Sequence, residues 1–162
     1  MTEKALSEQG AALLSLKVVR EKDAPYCGTD EQVTKPEIAA GIFERVFALT
    51  EQAEEVLCMI TLDTRRRPSG FWRVSTGSLT QSIVHPREVF KRALLANAHS
   101  VILAHNHPSG DPEFSPEDRE CARKIAEAGK IIGVSLLDFL AIGTGDRYQS
   151  ASEEGILDSS AF

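Results

Sequence analysis

The chain has 162 residues, 42% of them hydrophobic and 26% charged, with a formal net charge of -6. That length suits one compact domain with a core large enough to fold without staples. The acidic balance argues against a protein whose main business is wrapping nucleic acid, since neutralised phosphates supply most non-specific affinity.

Cys27, Cys58 and Cys121 are far apart and form no C-x-x-C, which excludes a disulfide framework and a thiolate zinc ribbon. They read as free buried thiols in a reducing compartment. The N-terminus lacks the apolar stretch of a signal peptide, and the longest apolar run, 56–60, is far too short for a bilayer. The expected location is the cytoplasm, with no membrane association.

Residues 13–19 form a plausible strand, and 20–34 a polar loop. A helix is predicted over 35–52, with Thr34 as N-cap and Pro36 in its first turn. Ile38, Ile42, Val46 and Leu49 recur there at helical spacing. Residues 54–63 read as a buried strand. "TRRRPSG" turns the chain, and its arginine run reads as a solvated turn. "FWRVSTG" returns as an antiparallel strand, and 78–84 as a weaker strand or a loop. A helix over 85–98 shows an apolar face of Val89, Phe90, Ala93, Leu94 and Ala98. Residues 99–105 have buried-strand character. "PEDRECARKIAEAG" is a helix with Gly129 as its C-terminal cap, and 134–150 supply a strand, a glycine turn and a short final strand. Interleaved strands and helices predict an α/β (α+β) domain, with helices packed on one mixed sheet.

The segment "HNHPSGDPEFSPED", 105–118, carries the chemistry. His105 and His107 share one side of the chain if it is still extended there, with Asn106 facing away. Pro108 and Gly110 then turn it. Ser115, Pro116 and Asp118 make an S-x-x-D capping box, which by itself explains neither histidine. Asp118 also continues the stripe of Cys121, Ala122 and Ile125 towards the core, and a carboxylate aimed inward needs a strong partner. Two imidazoles, one carboxylate and an open position match the ligand count of a catalytic zinc site. The open position would take a water, acidified to roughly pKa 7. Such a site needs a proton carrier, and Glu54 and Glu55 stand at the start of the 54–63 strand.

H-x-H, seven residues, then S-x-x-D, preceded by a glutamate at a strand edge, resembles the JAMM signature of the MPN+ metalloproteases. The run "HPREVFKRALLANAHSVILAHNHPSGDPEFSPED" is similar to the RadC family in particular. The resemblance covers about residues 36–150 and implies a mixed, curled sheet flanked by helices, related to cytidine deaminases. It divides the chain into an extension, 1–35, and an MPN/JAB domain, 36–162. It implies that His105, His107 and Asp118 ligate Zn²⁺. Glu55, which directly precedes the apolar strand residues, would pass a proton from the bound water to the leaving nitrogen. Ser115 would help to stabilise the oxyanion, a role that competes with its cap for one hydroxyl.

Three departures stand out. Family members usually carry an N-terminal helix-hairpin-helix part that binds DNA, for which this chain leaves no room. Phe139 stands where the family often has histidine. Residues 1–35 carry no motif that we recognise. The resulting expectation is a zinc peptidase or isopeptidase acting on a protein or peptide. The alternative is a DNA-repair-associated or protein-binding module with little hydrolysis. A zinc deaminase would need H-x-E with P-C-x-x-C, and the chain has neither.

Overall fold

The structure is a computed structural model that describes residues 31–77 and 84–157, together with Ser15, Lys17, Val18, Val19, Glu21 and Ala24. The expected strand at 13–19 falls partly outside the described residues, and its four described members belong to no strand. The segment 78–84 lies outside them too, except for Val84. Among the described residues, no helix is long and apolar enough to cross a membrane.

The order of elements is α1 (Pro36–Phe47), β1 (Val56–Leu62), β2 (Pro68–Thr76), α2 (Pro86–Leu95), β3 (Ser100–Asn106), α3 (Pro116–Ile132), β4 (Ser135–Ile142) and β5 (Tyr148–Ser150), with a 3-10 turn at Leu49–Glu51. The strands form one open, curled sheet in the order β2-β1-β3-β4-β5. Among the described strands only the β3–β4 pair is parallel, with α3 as its crossover. This is the mixed α+β architecture that the sequence predicts.

Every residue of β1 and β3 is buried, as continuous apolar runs in central strands require. Alternation along them feeds two cores. Leu57, Met59, Val101 and Leu103 face α2 and α3, where they meet Phe90 and Ile125. Cys58, Ile60, Ile102 and Ala104 face α1, where they meet Ile42 and Phe43. The parity continues to the end of β3, so His105 belongs to the α3 side and Asn106 to the α1 side.

Several local expectations need correction. The N-cap of α1 is Lys35, not Thr34, and its side chain makes no capping bond. The helix stops at Phe47 rather than running to 52, because Ala48 adopts a left-handed conformation and the chain continues as the 3-10 turn. β2 starts at Pro68, inside the expected turn, on an edge strand where proline costs no ladder bond. The arginine run is a turn organised by Asp63, whose carboxylate accepts from the Arg65 and Arg67 amides and the Arg67 side chain. Leu94, expected on the apolar face of α2, is exposed. Gly129 lies within α3, and the C-cap is Gly133, at φ 84°. A Cβ on Gly129 would meet the Val134 carbonyl oxygen at 2.5 Å, so that glycine serves close packing rather than termination.

Candidate metal centre

β3 delivers His105 at its buried end, opposite Leu57 of β1 and Ala141 of β4. His107 follows just outside the strand, and its amide still donates to the Ile142 carbonyl at 3.2 Å. The turn that Pro108 and Gly110 were expected to make is present. The Gly110 amide donates to the His107 carbonyl at 2.8 Å, and Gly110 has φ 78°. Arg147 and Thr144 brace this turn from the β4–β5 connection, both donating to the Gly110 carbonyl.

The chain then enters α3 through the expected capping box. Ser115 Oγ accepts from the Asp118 amide at 3.1 Å, and the Ser115 amide donates to Asp118 Oδ2 at 2.8 Å. Asp118 is buried, as its place on the apolar stripe requires. The capping box holds it at the mouth of the histidine loop.

Glu55 comes from the other side of the sheet's centre. Its carbonyl accepts from the Gly77 amide at 2.8 Å, continuing the β1–β2 pairing by one residue. With Leu57 opposite His105 in the antiparallel β1–β3 register, residue 55 stands two positions beyond the ladder, level with His107. Of the two adjacent glutamates, Glu55 is the one that reaches the histidines.

The four side chains converge. His105 Nε2 lies 2.8 Å from His107 Nε2, 3.3 Å from Asp118 Oδ1 and 4.0 Å from Glu55 Oε1. His107 Nε2 is 3.3 Å from Asp118 Oδ2. One donor atom from each residue fits within 4.8 Å of all the others. His107 Nδ1 contacts the Asp111 carbonyl at 2.6 Å. A carbonyl can only accept, so Nδ1 carries a hydrogen, and the neutral ring would turn its Nε2 lone pair into the cluster. That second hydrogen bond typically orients a metal-ligating histidine. Tetrahedral zinc with bonds of about 2.0–2.1 Å has ligand-to-ligand edges of about 3.3 Å, and the observed separations lie around that value. The donor set fits a divalent cation.

The electrostatics agree. The Asp118 carboxylate beside His107 holds that imidazole above its ordinary range, against the opposing effect of burial. Burial works to raise the Asp118 carboxyl, but the hydrogen bonds from both imidazoles outweigh it and hold the group well below the usual carboxylate range. An ionised carboxylate held in a buried place calls for positive charge beside it, from imidazole protons or from a cation in their stead.

His105 is held differently. Its Nδ1 is buried and makes no hydrogen bond among the described residues. Its ring is gripped instead by Phe139, 5.2 Å away, and Phe114, 6.5 Å away, measured between centroids. Phe139 thus packs directly on the histidine. Cys121 is not among the four donors, and burial with the nearby Asp118 charge pushes its thiol up to about 11, a poor state for a ligand. His85 caps α2, its Nδ1 accepting from the Arg87 amide.

Sequence reasoning passed over Asn106 beyond its direction. It does face away from the histidines, yet it is buried, with Oδ1 accepting from the Val56 amide at 2.8 Å and Nδ2 donating to the Glu54 carbonyl at 3.0 Å. A polar residue on the inward face of an otherwise apolar strand was the available signal.

A family model for a RadC-like JAB domain matches residues 33–156. A UPF0758 protein of Symbiobacterium thermophilum is 58% identical over 84 residues, 52% of this chain and 36% of the relative. A UPF0758 protein of Methanococcoides burtonii is 45% identical over 130 residues, 80% of this chain and 56% of the relative. A UPF0758 protein of Geobacter sulfurreducens is 40% identical over 156 residues, 96% of this chain and 66% of the relative. The chain spans about half the length of the curated relatives it matches.

Proposed function

The chain belongs to the RadC-like JAB domain family, and on that footing we propose that it is a zinc-dependent peptidase or isopeptidase acting on a protein or peptide. The observation that carries this reading is the convergence of Glu55, His105, His107 and Asp118, with His107 Nδ1 tied to the Asp111 carbonyl. His105, His107 and Asp118 would hold the ion. When bound, zinc supplies Lewis acidity towards a water and an amide carbonyl.

The chain's own residues supply the rest. Amide hydrolysis adds a hydroxyl to the carbonyl carbon and a hydrogen to the departing nitrogen. Glu55 can take the proton from the attacking water on a carboxylate oxygen and give it to that nitrogen. Ser115 can donate to the oxyanion as the carbonyl becomes tetrahedral. The capping bond uses an oxygen lone pair of Ser115 and leaves its O–H proton available, so the two roles do not compete. Phe114 and Phe139 keep water from the inner side of His105.

The test combines metal analysis with a fluorogenic peptide panel. About one zinc per chain is expected, lost in His107→Ala and kept in Glu55→Gln, with cleavage abolished in both. Loss of metal in Glu55→Gln, or cleavage that survives it, overturns the assignment of Glu55. The same Glu55→Gln protein is the reagent for trapping and identifying the substrate.

A further inference from the structure

β3 ends on Asn106, and the backbone ladder with β1 stops at the pair Leu57 and His105. The Asn106 side chain takes over where the ladder ends. Its Oδ1 accepts from the Val56 amide at 2.8 Å, and its Nδ2 donates to the carbonyls of Glu54 at 3.0 Å and Gln52 at 3.4 Å. These contacts bracket Glu55 on both sides. The residue that makes them is itself fixed between His105 and His107, with its backbone paired to Ile142.

We propose that Asn106 is a positioning residue for Glu55: it couples the strand that carries the histidines to the backbone on either side of the glutamate, and so sets where that carboxylate stands relative to the ion. This rests on the reading of Glu55 as the proton carrier. Two features of the structure favour it over a purely structural satisfaction of the chain end. The amide of Asn106 reaches three backbone groups of residues 52–56 rather than one, and two of them, at Glu54 and Val56, directly flank Glu55. It also lies at the first point beyond the β1–β3 ladder, where no backbone pairing with β3 would otherwise define the approach of residue 55.

The experiment uses the full chain loaded with cobalt(II), whose visible absorption bands report the surroundings of the ion without any substrate. Spectra are compared for wild type, Glu55→Gln, Asn106→Ala and the double variant. Isosteric Asn106→Asp keeps the acceptor for Val56 and loses both donors, so it serves as a second variant should alanine prevent folding. Asn106→Ala is expected to change the bands as Glu55→Gln does, with no further change in the double variant. The Val56 amide should also exchange its hydrogen roughly tenfold faster or more in Asn106→Ala. Asn106 variants whose bands match wild type overturn the proposal, as does a double variant whose change is the sum of the two singles. Wild-type protein that binds no cobalt, or whose bands ignore Glu55→Gln, brings down the reading of the site itself.

Discussion

The substitution Asp118→Asn separates the two tasks that Asp118 performs. The amide oxygen it introduces can still accept from the Ser115 amide, and the backbone amide of residue 118 still donates to Ser115 Oγ, so the capping box survives. The negative oxygens that face His105 and His107 at 3.3 Å do not. A metal that binds only the folded state stabilises it by about 2.7 kcal/mol at a hundredfold excess over its Kd. In a domain of this size each kcal/mol moves Tm by about 2–4 °C, so zinc should raise wild-type Tm by roughly 5–11 °C. In Asp118→Asn the rise should shrink to about 1 °C or less, since a neutral amide is a poor zinc ligand. Asp118→Ala should lose the rise as well, and also about 1 kcal/mol of metal-free stability with the Ser115 bond. The assay is thermal unfolding with EDTA and then with added zinc. A zinc-dependent rise in Asp118→Asn equal to wild type refutes the reasoning, and the burial of Asp118 would then serve the helix cap alone.

Three further outcomes follow from other parts of the fold. Gly129→Ala gains about 1 kcal/mol of helix propensity, but its Cβ would stand 2.5 Å from the Val134 carbonyl oxygen and 3.1 Å from the Phe90 ring. Overpacking of about 1–3 kcal/mol should outweigh the gain, and a raised Tm would contradict this. Burial raises the Asp138 carboxyl above its ordinary value, so the stability that accompanies its protonated form is full below that value and lost as pH climbs through the raised one. Asp138→Asn keeps an acceptor for the Phe139 and Ser152 amides. Its Tm should therefore exceed wild type at neutral pH, with the gap closing in acid; a gap independent of pH would sink the argument. Burial pushes the thiols of Cys58 and Cys121 up to about 12 and about 11. Iodoacetamide near neutral pH should modify both slowly in the native protein and rapidly in denaturant, as read by peptide mass mapping, and fast native labelling at Cys58 would be the contrary result.

The readable parts of this chain were those in which local pattern and tertiary need agree. The buried strands at 56–62 and 100–106 have helices on both sides of the sheet, and that shows as the hydrophobic runs 56–60 and 101–104 within them. The histidine–aspartate segment was legible because its capping box is local, while its inward aspartate conflicts with an ordinary core. Helix ends were harder. Gly129 looked like a terminator, but packing against Phe90 and Val134 keeps a glycine inside the helix. Nothing local announces that Ala48 turns left-handed and ends α1. Leu94 has the spacing of a core residue and lies exposed, since periodicity marks a stripe but not its width. The clamp made by Asn106 joins segments 50 residues apart, and no local pattern reveals its partners.

That separation gives the centre an order of assembly. His105, His107 and Asp118 sit within one strand–turn–helix stretch, which can gather its three donors by closing a loop of about a dozen residues. Glu55 arrives only when β1 pairs with β3 across some fifty residues, a closure costing about 1.2 kcal/mol more in chain entropy. A nascent or partly unfolded chain can thus bring its three donors together before it has the glutamate in place. The glutamate would then join last, with the strand that completes the middle of the sheet, and the hydrolysis we propose would wait for folding to finish.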